Sequence, residues 1–162
     1  MFMGQWLRSI CYSGPITTKQ QAIMSNYIDP ERDQFDAFKE LPRDKPIMML
    51  NFLRIREKAV YEDGREGTGA EAYGAYGRES GPIFRRVGGE IIWRGKPQLM
   101  VIGPKDKRWD MIFVARYPTA GAFLEMVTDP DYRIAVKHRQ AAVKDSRLIC
   151  TTESTESDDF SG

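Results

Sequence analysis

The sequence has little material for a metal site or a disulfide: it contains one histidine, His138, and two cysteines, Cys11 and Cys150. A single histidine cannot build the common zinc sites, which use several imidazoles or a set of thiolates, within one chain. The cysteines lie far apart and form no CxxC motif, so we interpret Cys150 as a small buried thiol. The sequence therefore requires no metal and no stored cofactor.

An excess of charge and long apolar runs are also missing. Lys and Arg total 24 and Asp and Glu total 23, a formal net charge of +1, which gives no footprint of nucleic-acid binding. No apolar run reaches the roughly 18–20 residues that cross a bilayer. The N-terminus also lacks the basic start and the apolar block of about 7–15 residues of a signal peptide. We expect no nucleic-acid partner, no membrane partner and a cytoplasmic location.

The chain of 162 residues, 41% hydrophobic and 29% charged, has the composition of one soluble globular domain. Residues 1–23 show no clear periodicity, and we predict a poorly ordered N-terminal extension there. Residues 153–162, "ESTESDDFSG", carry four acidic groups and predict a disordered acidic tail. A single domain is predicted over residues 24–152.

Strands and helices alternate along that domain. Strands are predicted in "PIMMLNFLRIR", in "GEIIWRG" and "QLMVIG" joined as a hairpin or bent ribbon through Lys96-Pro97, in "RWDMIFVARYP" and in "SRLICTT". Helices are predicted at about 29–41 with Asp29 as N-cap, from Thr68, and from Pro118 with a restart at Asp129-Pro130. The order β-α-β-β-α-β, with an extra strand in the hairpin, indicates a ferredoxin-like α+β sandwich.

One layer of helices leaves one face of such a sheet uncovered. The first strand, Ile47 to Ile55, is apolar at odd and even positions, which is typical of a strand covered on both faces. An exposed apolar face of this size favours aggregation, so a second copy is the expected cover. We predict a homodimer through the sheet face.

Four segments, "MMLNFLRIR", "YGRESGPIFRRVGGEIIWRG", "ARYPTAGAFLEMVTDPDY" and "HRQAAVKDSRLI", resemble the domain-of-unknown-function family 1330. The resemblance covers residues 46–151 and implies the dimeric α/β-barrel superfamily, in which two ferredoxin-like sheets form the barrel. It implies no activity. Wider members of the superfamily include cofactor-independent oxygenases, haem-degrading and haem-containing enzymes, decarboxylases and muconolactone isomerases, with sites between sheet and helices. This is an analogy at the level of the fold.

Asn51 and Arg139 are polar residues in otherwise apolar surroundings. Asn51 interrupts the first strand, and it either orients a substrate carbonyl or an enolate-like oxygen in a cleft, or is satisfied by a neighbouring element. Arg139 falls within an apolar helical stripe, so it either pairs with Asp110 or Asp145 or binds a substrate carboxylate. We favour the ion pair.

His138 is the candidate general base, although a lone helical histidine is more often packed or on the surface. As an axial haem ligand it is a weaker candidate. Tyr73 and Tyr76 lie at helical spacing and are predicted either to roof the pocket or to fill the core. Trp93 and Trp109 form either a flat ligand wall or part of the dimer seam.

The sequence thus predicts a protein that binds an unknown small organic ligand. Its candidate catalytic residues are His138 and Asn51, and its candidate substrate-binding residues are Arg139, Tyr73, Tyr76, Trp93 and Trp109. If the protein is an enzyme, the expected reaction is cofactor-independent proton transfer or oxygenation of an activated carbonyl compound. The alternative is a non-catalytic ligand sensor or dimeric interaction module.

Overall fold

The structure, a computed structural model, describes residues 26–154, and this part of the chain forms four strands and four helices. The strands are β1 (Ile47–Ile55), β2 (Glu90–Gly95), β3 (Met111–Tyr117) and β4 (Val143–Thr151). The helices are α1 (Arg32–Lys39), α2 (Gly69–Arg86), α3 (Ala120–Thr128) and α4 (Pro130–Ala142). The predicted N-terminal extension, and the acidic tail from residue 155 onward, lie outside the described residues.

The four strands form one antiparallel sheet in the order β2-β3-β1-β4. With the element order β1-α2-β2-β3-α3/α4-β4, this arrangement is the ferredoxin-like fold, and the predicted fold class is confirmed. In register, Asn51 lies opposite Phe113 on one side and Leu148 on the other. The sheet is open, so closure into a barrel by a second copy stays a prediction.

Local capping signals set the boundaries of the long helices. Thr68 and Glu71 form a capping box: the Thr68 hydroxyl accepts from the Glu71 N–H at 3.1 Å, and the Glu71 carboxylate accepts from the Thr68 N–H at 2.8 Å. Asp129 accepts from the N–H groups of Asp131 and Tyr132, at 2.8 and 3.2 Å, with Pro130 at the first position of α4. Both predicted helix starts are confirmed.

Two predicted elements differ from the structure. The first helix begins at Arg32 after Glu31, whereas Asp29 accepts a hydrogen bond from Gln140 Nε2 at 3.0 Å, so this carboxylate serves a tertiary contact instead of a cap. The segment "QLMVIG" forms no strand, and Leu99 is 79% exposed. The strand β2 pairs with β3 instead of with this segment, so the predicted hairpin partner is wrong.

The main aromatic core cluster lies on the helix-facing side, at the end of the sheet where β1 begins, and Leu53 at the other end of β1 is also buried, at 1% exposed. Tyr117 packs edge-on against Phe84 and Phe123, with ring centroids 5.3 and 5.2 Å apart. The buried residues of this cluster are Ile47, Met49, Ile83, Val87, Ala115, Tyr117, Ala120 and Met126. Between these two ends, at Asn51, a cleft opens between the sheet and the helices. None of the described helices has the length and apolar character needed to span a bilayer.

Candidate functional site

An open cleft of about 1660 Å³ lies between the helix-facing side of the sheet and the four helices α1, α2, α3 and α4. It exceeds the roughly 300–1,000 Å³ of ordinary small-molecule pockets. Its floor includes Met49, Asn51, Arg94, Phe113, Leu148 and Cys150. Its helical walls include Phe35, Phe38, Tyr73, Tyr76, Tyr132 and Arg139. Four of the predicted site residues therefore line one space: Asn51, Arg139, Tyr73 and Tyr76.

Asn51 is only partly satisfied within the protein. Its Nδ2 donates to the carbonyl oxygen of Met49, two residues back in the same strand, at 2.9 Å. The Oδ1 atom accepts no hydrogen bond from any residue between 26 and 154. Because the side chain is half-buried and lines the cleft, a ligand that donates to Oδ1 would complete its hydrogen bonding.

Three tyrosines of the two long helices line the cleft. The hydroxyl oxygens of Tyr76 on α2 and Tyr132 on α4 lie 3.1 Å apart. Tyr73 stacks obliquely on Tyr76, with ring centroids 5.6 Å apart. The Tyr73 hydroxyl makes no hydrogen bond to the described part of the chain, so it is free to donate to a ligand.

Burial sets the protonation state of these phenols. It raises the pKa of Tyr73 and of Tyr132 well above the ordinary value of 10.0. For Tyr73, the negative charge that Tyr76 would carry raises the pKa further, and the positive charges of Arg139 and Arg94 lower it. At neutral pH both hydroxyls are therefore hydrogen-bond donors and hold their protons.

Arg139 is engaged by the protein itself. Its Nη1 donates to the Ile28 carbonyl at 2.5 Å and lies 3.7 Å from Asp29 Oδ1, and its Nη2 donates to Ser146 Oγ at 3.2 Å. The predicted partners Asp110 and Asp145 are wrong: the carboxylate beside Arg139 is Asp29, and Asp110 and Asp145 accept from the backbone N–H of Ile55 and Tyr27 instead. Arg139 thus ties the segment before α1 to β4.

His138 does not line the cleft. Its Nδ1 lies 2.7 Å from the Tyr61 hydroxyl and its Nε2 lies 3.2 Å from Glu79 Oε1. Consecutive helical residues point roughly 100° apart, so His138 and Arg139 do not face the same space. Both ring nitrogens are used to pack a loop residue and α2 against α4, and this placement argues against a base beside Asn51.

Trp93 and Trp109 lie on the other side of the sheet. Trp93 pairs in register with Val114 and is 54% exposed. Trp109 packs against Phe52, with ring centroids 5.8 Å apart, and Phe52 alternates with the cleft-facing Asn51 along β1. Neither tryptophan lines the cleft, so the ligand-wall interpretation has no support from their positions.

The sequence interpretation missed Arg94. A β-bulge between Ile91 and Trp93 shifts the alternation of β2, so that Arg94 pairs with Phe113 on the cleft side and Trp93 turns to the opposite side. The Arg94 guanidinium lies 5.7 Å from the centroid of the Phe113 ring. It forms no ion pair with the described residues. Nothing in the sequence "GEIIWRG" indicates the bulge. Tyr132, by contrast, belongs to the apolar stripe of α4 that the sequence shows, so it could have been named as a site residue.

The fold and the cleft define a ferredoxin-like α+β protein with an open aromatic cavity. Residues 66–152 match the family described as Domain of unknown function (DUF1330), and the chain belongs to that family. The chain is also similar to the crystal structure of the methylated RPA0582 protein, with 55% identity over 82% of this chain and 98% of that one, at a TM-score of 0.79.

A second RPA0582 structure, a protein of unknown function from Rhodopseudomonas palustris, shares 53% identity over 82% of this chain and 100% of that one, at a TM-score of 0.78. SnoaB, a cofactor-independent oxygenase from Streptomyces nogalater, shares 15% identity over 71% of this chain and 99% of that one, at a TM-score of 0.46. This last similarity is too low to bear on function. The comparison with curated proteins gives no match.

Proposed function

We propose that the cleft binds a small organic molecule with an apolar body and at least one hydrogen-bonding group. The observation that carries the proposal is the pair of unused groups inside it, Oδ1 of Asn51 on the floor and the hydroxyl of Tyr73 on the wall. Polar groups in partly buried sites normally have partners. Aromatic walls with a few convergent polar groups are typical of ligand sites.

Binding without catalysis is the function that the geometry supports best. A proton-transfer or oxygenation reaction at the cleft needs a group that accepts a proton near neutral pH. The proton-transfer groups expected from the sequence, His138 and the tyrosines, do not supply it, because His138 lies outside the cleft lining and burial keeps the pKa of Tyr73 and Tyr132 high. We therefore propose a ligand-binding protein, with the sensor role favoured over the enzyme.

Gly77 on α2 offers a direct test, because it lines the cleft and a Cβ added there meets nothing within 4 Å. We expect Gly77→Trp to fill the cleft and Gly77→Ala, the matched control, to leave it open. The probe is 2-naphthalenemethanol, a neutral aromatic alcohol titrated by its fluorescence. Gly77→Trp should weaken binding at least tenfold, and Gly77→Ala should preserve it. Equal binding by both variants, or no binding to the unmodified protein, would overturn the proposal.

We also propose that the chain forms a homodimer through the uncovered face of its sheet. This face presents Leu50, Phe52 and Val114, with Trp93 54% and Ile149 48% exposed. No described helix covers it. A standard interface buries about 800 Å² on each partner, and aromatic residues contribute about 150–250 Å² each, so a face with two tryptophans and Phe52 supplies much of that area.

Sedimentation velocity tests the dimer. Trp93→Asp places a charge in the middle of this face and should give a monomer, whereas Val60→Asp, at a loop position that is 63% exposed, should sediment like the unmodified protein. A dimer that persists in Trp93→Asp would place the interface elsewhere. A monomeric unmodified protein at micromolar concentration would refute the dimer itself.

A further inference from the structure

We propose that the ligand of this cleft is an organic anion, whose carboxylate binds Arg94 while its apolar body lies against Phe113 and the tyrosines. This inference rests on the proposed binding function and specifies its ligand class. It arises from the distribution of charge along the cleft walls and from the position of one unpaired arginine.

The lining of the cleft carries a surplus of positive charge. Among the lining residues of the described chain there is no lysine. Six are arginines, namely Arg32, Arg85, Arg94, Arg133, Arg139 and Arg147. Three are acidic, namely Asp29, Glu31 and Glu90. Clefts lined by one sign of charge focus the field and concentrate ligands of the opposite sign. The walls therefore favour an anion over a neutral or cationic ligand.

Three of these arginines are already neutralised by carboxylates. Arg32 lies 3.9 Å from Asp36, Arg139 3.7 Å from Asp29, and Arg147 2.6 Å from Asp145. The remaining three, Arg85, Arg94 and Arg133, form no ion pair with residues 26–154. The surplus charge is thus carried by side chains that are available to a ligand.

Among these three, Arg94 alone lies on the sheet, two strands away from Asn51 across β3. It pairs in register with Phe113, which pairs in turn with Asn51. Its guanidinium contacts the Phe113 ring, an arrangement that orients the group while leaving its N–H donors free. A planar guanidinium matches a carboxylate with two parallel hydrogen bonds.

Tyr73 completes the arrangement from the helical wall. Tyr73, Arg94 and Arg139 all line the cleft, and the charges of the two arginines lower the pKa of the Tyr73 hydroxyl. A carboxylate at Arg94 would accept from the Tyr73 hydroxyl as well, and a hydroxyl or N–H elsewhere on the ligand would donate to Asn51 Oδ1. The site therefore suits a carboxylic acid with an aromatic or branched apolar body.

The test compares two probes with the same ring system, 2-naphthoate and the neutral 2-naphthalenemethanol, by fluorescence titration of the intact protein. We expect the unmodified protein to bind 2-naphthoate at least roughly tenfold more tightly, because hydrogen bonds to a charged group are the stronger ones. Arg94→Gln should abolish that preference and leave the affinity for the alcohol unchanged. Added NaCl should weaken only the binding of 2-naphthoate.

The matched control is Arg78→Gln, which removes an exposed arginine of α2 that lies outside the cleft lining. It should keep the preference for 2-naphthoate, which excludes an effect of net charge alone. Arg94→Lys retains the positive charge but lacks the planar guanidinium. Its preference for 2-naphthoate should therefore lie between the preferences of Arg94→Gln and Arg78→Gln. Thermal melting of each variant verifies that the exposed substitutions leave the fold intact.

The outcomes separate this inference from the function on which it rests. If the alcohol binds and Gly77→Trp blocks it, but Arg94→Gln leaves the preference for 2-naphthoate unchanged, the anion inference fails and the binding function stands. Tighter binding of the alcohol than of 2-naphthoate by the unmodified protein would likewise overturn the anion class. If neither probe binds, both proposals fail together.

Discussion

The hydroxyl oxygens of Tyr76 and Tyr132 lie 3.1 Å apart, and this hydrogen bond joins α2 to α4 directly above the cleft. The two rings meet edge to face, with centroids 6.2 Å apart. Because both tyrosines line the cleft, the phenol pair connects the parts of its wall that α2 and α4 supply. The shape of the cleft therefore depends on the hydrogen bond between Tyr76 and Tyr132, whereas the groups proposed to bind the ligand are Asn51 Oδ1 and the Tyr73 hydroxyl.

Replacing either phenol tests this contact. Tyr132→Phe leaves the Tyr76 hydroxyl without its partner, so we expect the free energy of unfolding to fall by about 1–2 kcal/mol. The double variant Tyr76→Phe/Tyr132→Phe removes both polar groups and should cost less than the sum of the single changes. Urea unfolding of the four proteins measures the coupling, and strictly additive losses would show that the bond contributes nothing.

Alkaline pH should destabilise the protein through its buried phenols. The folded state raises the pKa of Tyr132 above the ordinary value of 10.0, mainly by burial. Above about pH 10 the unfolded state therefore binds fewer protons than the folded state, and stability falls as pH rises. Below that pH both states keep the proton, so the contribution is fully present.

The comparison of Tyr132→Phe with the unmodified protein isolates this effect from other alkaline titrations. Urea midpoints measured from pH 8 to 11 should fall less steeply in the variant, because the variant has one phenol fewer to ionise on unfolding. Absorbance of tyrosinate near 295 nm should show these buried phenols ionising only with unfolding. Parallel pH profiles would contradict the assignment of a raised pKa to Tyr132.

The elements that were predicted correctly depend on local signals. Thr68 with Glu71 three residues later, and Asp129 before Pro130, cap their helices through atoms within one turn, so a single sequence contains the whole interaction. The apolar strand around Asn51 likewise identifies the centre of the sheet. These features were sufficient for the ferredoxin-like order of elements.

The errors arose where a distant residue decides the structure. Asp29 has the sequence of a helix cap, yet it contacts Gln140 and Arg139 on α4. A single bulge in β2 exchanges the faces of Trp93 and Arg94, and a bulge leaves no periodic signal in six residues. The sequence therefore singled out four residues that line the cleft, namely Asn51, Tyr73, Tyr76 and Arg139, but missed Arg94 on β2.

Arg139 separates a structural role from a ligand role. Its contacts with the Ile28 carbonyl, Asp29 and Ser146 hold the segment before α1, so Arg139→Met should lower the free energy of unfolding by about 2–3 kcal/mol. Arg133→Met, at an exposed position of the same helix, is the control and should leave stability nearly unchanged. If Arg139→Met keeps the free energy of unfolding but no longer binds 2-naphthoate, the role of Arg139 is to bind the ligand instead.

Two glycines of α2 should respond in opposite directions to the same change. A Cβ at Gly69 would lie 2.0 Å from the backbone oxygen of Arg56, where the start of the helix approaches the end of β1, whereas a Cβ at Gly77 meets nothing within 4 Å. In the interior of a helix alanine is favoured over glycine by about 1 kcal/mol. Gly77→Ala should therefore raise the unfolding midpoint, and Gly69→Ala should lower it because the helix must move away from Arg56.

Thermal and urea unfolding of the two alanine variants tests this contrast. Both remove the same backbone freedom from the unfolded chain, so a difference between them reports the space around each Cβ. If Gly69→Ala proves as stable as Gly77→Ala, α2 can shift relative to β1 without loss. The part of the cleft wall that α2 supplies would then be adjustable.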